Sequence, residues 1–330
     1  MSGWKDIIGH EQTIAHLQNA ILSNKVSHAY LIQGDPGAGK RTVADAFAAA
    51  LQCGAQGADA CGQCRSCRQA AGRNHPDIIY ITHEKPASIG VDEIREQLVN
   101  DIAIKPYNGK YKIYIVAEAE KMTVQAQNAL LKTLEEPPAY AVILLLTVNA
   151  SILLETIRSR CVLLNLKPVP GQLVKKYLME HLEIPDYQAD ICVAFAQGSV
   201  GRAMSLASSE EFHGIKASAL QILCNVKEMD ISEIVGVVKH VVQYKVSIQD
   251  YLDLMAVWFR DVLYFKATRD VDGIVFKDQL KGIRSNASTS SYEGLEEILQ
   301  ALQKAKVRLD ANVNFELTME LLFLTIKENV

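Results

Sequence analysis

No stretch of this sequence reaches the run of about 18 apolar residues that would cross a membrane. The opening residues "MSGWKDIIGHEQ" hold Asp6 and Glu11 where a secretion signal would be basic and then apolar. Both absences lead one to expect a cytosolic protein. Positive charge is not in excess either: 34 Lys and Arg stand against 38 Asp and Glu, a net charge of −4. Composition therefore supplies no general attraction to nucleic acid, and any DNA contact has to come from a local patch or from partner chains. Internal repeats and low-complexity tracts are missing. The eight histidines form no H-E-x-x-H pair and read as ordinary surface or core residues.

What is present is the material of a large globular protein. The chain has 330 residues, 49% apolar and 22% charged, which exceeds the size at which one core stops growing and predicts two or three domains. Seven cysteines in a cytosolic chain do not suggest a disulfide framework. Cys161, Cys192 and Cys224 are scattered and read as small core residues. Cys53, Cys61, Cys64 and Cys67 lie within fifteen residues of one another, enough thiolates to close a tetrahedral site around Zn²⁺. An iron–sulfur cluster and free thiols are the alternatives, but the run lacks the usual fourth cysteine before a proline, and nothing else in the chain looks redox-active. An all-cysteine zinc site leaves no open coordination position, so its role is structural.

Strand-like runs at "HAYLIQ" (His28 to Gln33), "YKIYIV" from Tyr111 and "AVILLLTV" from Ala141 are near-continuous β-formers, as parallel strands buried on both faces require. Helical stretches separate them, "VDEIREQLVNDI" before the second and "TVQAQNALLKTLEE" before the third. The first half is thus α/β with a parallel sheet. "LKPVPG", from Leu166 to Gly171, marks a domain boundary, and beyond it strand signals vanish. In the last helical pattern Leu302, Ala305, Leu309, Val313, Leu317, Leu321 and Leu324 recur at three- and four-residue steps, predicting one apolar stripe.

"GDPGAGKRT" (Gly34 to Thr42) follows the first strand and opens a helix, the place of a phosphate-binding loop whose amides and lysine cradle phosphates. Arg41 stands where the pattern asks for a magnesium-binding hydroxyl, and Thr42 is about 100° further around the helix. The strand "IYIV" ends in Ala117, where the metal-anchoring aspartate is missing, and Glu118 follows in the position of a water-activating acid. Both protein contacts to Mg²⁺ are gone. Binding of ATP through Lys40 and the loop amides is compatible with these losses; hydrolysis is disfavoured, because the metal carries much of the charge neutralisation in phosphoryl transfer.

Through "IIGHEQTIAHLQNAI", "SHAYLIQGDPGAGK", the four-cysteine insert, "VDEIREQL", "YIVAEAEKMTVQAQNALLKTLEEPP", "TIRSRC" and "GSVGRAM", the chain resembles the bacterial clamp-loader branch of the AAA+ ATPases over nearly its whole length. The resemblance implies a RecA-like AAA+ domain over residues 1–166 with the zinc module at 53–67, a helical lid over 167–208 and an all-helical collar over 209–330 that joins five subunits in a ring. It implies a remnant nucleotide site with Gly34, Gly37, Gly39, Lys40 and Thr42 in the phosphate loop, Ala117 and Glu118 in the second motif, Thr147 as first sensor and Arg202 as second. Arg160 of "SRC" corresponds to the arginine finger offered to the ATP of a neighbouring subunit. The cysteine spacing is one residue shorter between the first two cysteines than is common in the family. The implied partners are the gamma or tau motor subunits, the delta subunit, the sliding clamp and, through the complex, primer–template DNA. The damaged site points to the stator-like member without ATPase activity of its own. An active gamma/tau-type motor is the alternative, and an unrelated zinc-dependent DNA-binding protein is disfavoured by the acidic balance.

Overall fold

The computed structural model describes residues 3–330. Helix α1 (Glu11–Leu22) precedes strand β1 (Ala29–Gln33), and α2 (Lys40–Leu51) leaves directly from the glycine loop. Then come α3 (Arg65–Ala71), β2 (Ile78–Ile81), α4 (Val91–Ile94), β3 (Lys112–Val116), α5 (Val124–Glu135), β4 (Ala141–Thr147), α6 (Glu155–Arg158) and β5 (Val162–Asn165). The strands form one parallel sheet in the order β2-β3-β4-β1-β5, the RecA-like α/β arrangement expected from the sequence. Tyr30 pairs in register with Leu144 on one side and Val162 on the other, so β1 sits between β4 and β5.

Both faces of the sheet are covered, which is why its central strands read as continuous apolar runs. Tyr30, Ile32, Ile113, Ile115 and Leu144 pack with Leu17, Val43 and Phe47 of α1 and α2. Leu31, Tyr114, Val116, Ile143 and Leu145 pack on the other side with Ile94, Leu130, Leu134 and Ile157. β2 was not foreseen: it is four residues long at the sheet edge, with two of them half-buried. The helix expected over "VDEIREQLVNDI" is α4 continued as a π-helical turn over Arg95–Val99 and a 3₁₀ turn over Asp101–Ala103. Buried Lys112 holds that last turn to β3, its ammonium 2.8 Å from the Asp101 carboxylate and donating to the Asp101 and Ile104 carbonyls.

From α7 (Gly171–Leu182) onward the chain is helical: α8 (Asp186–Ala196), α9 (Val200–Ser208), α10 (Glu210–Asn225), α11 (Ile231–Val241), α12 (Ile248–Thr268), α13 (Leu280–Thr289), α14 (Tyr292–Asp310) and α15 (Phe315–Asn329). Two compact units result. The first runs to Val174 and takes back Gln197–Arg202; the second holds Lys175–Ala196 and Ala203–Val330. The second unit is built around α12, whose Tyr251, Trp258 and Phe259 are fully buried, as are Phe276 and Phe323 of the same unit. No helix among the described residues is long and apolar enough to cross a membrane.

The single C-terminal stripe expected from the sequence is broken. Asn312 takes a left-handed conformation (φ 56°), and the Asn314 side chain accepts the Leu317 N–H at 3.0 Å, closing α14 and starting α15. Leu302 and Ala305 are buried, Leu309 and Leu324 half-buried, and Val313, Leu317 and Leu321 exposed. The core face of α15 is instead Phe315, Thr318, Met319, Leu322, Phe323 and Ile326.

Candidate functional site

The loop between β1 and α2 can be accounted for group by group. Lys40 Nζ folds back to donate to the Gly34 and Asp35 carbonyls, the latter at 2.9 Å. Ser199 Oγ donates to Pro36 O at 2.9 Å, Gly201 N to Gly37 O at 2.9 Å, and a His10 ring nitrogen lies 3.0 Å from Ala38 O. Every carbonyl from residue 34 to 38 is therefore engaged. The backbone N–H groups of Gly37, Gly39, Lys40 and Arg41 have no partner among the described residues. Carbonyls turned inward and amides left open at a helix start make a cradle for an anion. Gly37 (φ 75°) must be glycine, because a Cβ there would lie 2.5 Å from Ser199 Oγ and 2.9 Å from the Arg202 amide. Gly39 (φ 88°) has nothing within 4 Å of where its Cβ would be, leaving open space over the loop. Burial lowers the Lys40 ammonium pKa, against the pull of Glu120 and Asp35.

The metal side of the site is different. The Arg41 guanidinium lies 5.2 Å from the Tyr80 ring centroid on β2, and Arg73 lies 5.8 Å from it. The Tyr80 hydroxyl donates to Asp45 at 3.0 Å, and Arg73 pairs with the same carboxylate at 3.5 Å. Arg41 thus belongs to a cluster tying α2 to β2. Thr42 lines a small hollow with Asp6, Asp45, Ala46 and Arg73. After β3, Ala117 offers only a methyl group. Glu118 sits in the left-handed region (φ 52°), half exposed, 2.8 Å from Lys121 Nζ and 3.8 Å from the His83 ring. Thr147, fully buried at the end of β4, accepts the Gly34 N–H with its carbonyl at 3.2 Å, while its hydroxyl turns to Asn149. Arg202 lies in the first turn of α9 with its amide donating to Ser199 Oγ at 3.2 Å, next to Gly37. Glu120 was missed in the sequence: its carboxylate accepts the Val148 N–H at 3.3 Å and faces Lys40 electrostatically. The signal was its place three residues beyond Ala117, obscured because the motif fixes its acids by position.

Arg160 lies away from this loop, between α6 and β5. Its Nη1 donates to the Thr156 carbonyl at 2.9 Å and its Nη2 is 2.9 Å from the Glu135 carboxylate at the end of α5. About a third of its side chain stays exposed.

The four cysteines converge. Their Sγ atoms all lie within 4.8 Å of one another, with Cys61 and Cys67 at 3.9 Å. A tetrahedral Zn²⁺ with bonds of about 2.3 Å needs sulfur atoms roughly 3.8 Å apart, so the cluster fits a bound metal ion. The amides of Cys61, Cys64 and Cys67 point at the sulfurs of Cys53, Cys61 and Cys64 at 3.3, 3.4 and 3.4 Å, the arrangement that stabilises thiolates. The amides of Cys67 and Gly54 hold the Cys64 thiol down at about 6, whereas burial pushes Cys67 up. Between the ligands, Ala58 O accepts the Trp4 indole N–H at 2.7 Å and Asp59 accepts the Trp4 amide at 3.1 Å.

Two family models match the chain: one described as DNA polymerase III, delta subunit, over residues 9–170, and one described as DNA polymerase III, delta subunit, C terminal, over residues 220–328. The DNA polymerase III subunit delta' of Pseudomonas aeruginosa is 31% identical over 302 residues, with 90% of each chain covered. The chain belongs to the DNA polymerase III delta-prime family. The subunit delta' of Bacillus subtilis is 28% identical with 98% of each chain covered. Subunit tau of the same organism is also 28% identical, over 92% of this chain but 57% of its own length. Delta' and tau relatives therefore both match most of this chain.

Proposed function

We propose that this chain is the stator-like delta-prime subunit of a bacterial clamp loader, which helps place the sliding clamp on primed DNA without hydrolysing ATP itself. The observation that carries the reading is the split state of the phosphate loop. Its amide cradle is open and Lys40 is in place, yet Arg41 is committed to Tyr80 and Ala117 supplies no carboxylate. Magnesium carries much of the charge neutralisation in phosphoryl transfer, so a loop of this kind can hold a nucleotide without turning it over. Gly34, Gly37, Gly39, Lys40 and Thr42 would surround the phosphates, with Glu118, Thr147 and Arg202 at the remnant catalytic and sensor positions. Cys53, Cys61, Cys64 and Cys67 would hold Zn²⁺, which cross-links the module when bound.

In this reading Arg160 reaches in trans to the ATP of a neighbouring gamma or tau subunit. Its partial exposure and its distance in the fold from this chain's own loop support that role. The three-part division into AAA+ domain (1–166), lid (167–208) and collar (209–330) goes with it. The exposed Val307, Val313, Leu317 and Leu321 on and between α14 and α15 suit a collar that meets other subunits, delta among them. Clamp and primer–template DNA are engaged through the assembled complex in the cytoplasm.

The test is steady-state ATP turnover by the purified chain. The expected result is background hydrolysis in the presence of Mg²⁺ and DNA. Turnover at rates of an active loader, abolished by Lys40→Ala, would favour a gamma/tau-type motor instead.

A further inference from the structure

Glu135 is oddly placed for a surface carboxylate. It is the last residue of α5, where the helix dipole is negative and a side-chain anion is disfavoured, and Glu136, Pro137 and Pro138 follow. The group that answers its charge is Arg160, with Nη2 at 2.9 Å. Arg160 is fixed on its other side as well, since Nη1 donates to the Thr156 carbonyl at 2.9 Å and reaches Ser159 Oγ at 3.4 Å. A guanidinium has five N–H donors in a rigid fork. Three are used here, and Nε–H has no partner among the described residues. The side chain is therefore held at two corners while Nε–H and one hydrogen of Nη2 remain for a ligand.

We infer that Glu135 is a positioning residue for Arg160: its carboxylate fixes the guanidinium so that the free edge of the fork faces an anion brought by a neighbouring subunit. This rests on the reading of Arg160 as a finger acting in trans. An untethered arginine samples many rotamers and meets a phosphate in a small fraction of them; a tethered one is pre-organised. Glu135 touches no substrate in this scheme and acts only through Arg160. Its loss should therefore lower the rate of the step that Arg160 assists and leave the affinity for ATP unchanged.

The experiment uses the loader reconstituted from this chain with gamma or tau, delta and the clamp, assayed for DNA-stimulated hydrolysis over a range of ATP concentrations. Four versions are compared: wild type, Glu135→Gln, Arg160→Ala and the double variant. The Arg160-dependent part of kcat should fall roughly two- to tenfold in Glu135→Gln, as for loss of one partly exposed charge-assisted contact. KM should hold, and the double variant should equal Arg160→Ala. A rate equal to or above wild type in Glu135→Gln, while Arg160→Ala is slow, overturns the positioning role alone. A further loss when Glu135→Gln is added to Arg160→Ala overturns it too, as that loss would be structural. If Arg160→Ala itself matches wild type, the finger reading fails and the inference falls with it.

Discussion

At Arg41 the difference between a working and a silent phosphate loop comes down to one side chain. Serine or threonine there would point a hydroxyl at a metal; the arginine instead lies over Tyr80, with Arg73 and Asp45 completing the cluster. A cation–π contact at a partly exposed site contributes about 0.5–1 kcal/mol. Arg41→Ser should therefore lower the melting temperature by about one to two degrees and still give no ATP turnover, because Ala117 leaves the second metal contact missing. Thermal melting and a turnover assay check both halves, and hydrolysis gained from that single change would contradict the account. The two losses were legible in the sequence, since both motifs fix residue types at set positions. The destination of Arg41 was not, because Tyr80 lies on a strand nearly forty residues on, brought alongside α2 only by the sheet order.

Among the elements, the long buried strands β3 and β4 were readable because both of their faces are covered and their apolar runs have no gaps. β2 escaped notice because four residues at a sheet edge carry too weak a pattern. The α14–α15 break was misread because leucines and valines continue at helical spacing through Asn312 and Asn314, which end one helix and cap the next. The cysteine module was legible from spacing alone, but its tie to Trp4 was not. Trp4 hydrogen-bonds to Ala58 and Asp59 inside the module and its ring sits 6.4 Å from Phe47 of α2. Purified protein should contain one zinc per chain, and its removal by chelator should free the 58–59 loop and shift Trp4 emission to the red. Trp258, fully buried in the second unit, should not respond, so Trp4→Phe should abolish the shift. Iron in the metal analysis, or loss of zinc with unaltered Trp4 emission, would go against this.

At the scale of the whole molecule, the chain carries a net charge of −4, and the group proposed to act on a partner is a tethered arginine, about a third exposed. The central claim is that Arg160 assists hydrolysis on a neighbouring subunit. An arginine finger is worth about 10³–10⁵ in rate at the site it serves, roughly 4–7 kcal/mol. Arg160 is about a third exposed and its pair with Glu135 is on the surface, so Arg160→Ala should fold and assemble normally. DNA-stimulated ATP hydrolysis by the reconstituted loader measures the claim most directly. The account predicts a fall confined to the one ATP site facing this chain, with slower clamp loading, while the isolated variant and the isolated wild type both stay at background. Hydrolysis by the assembled Arg160→Ala loader at the wild-type rate would contradict it.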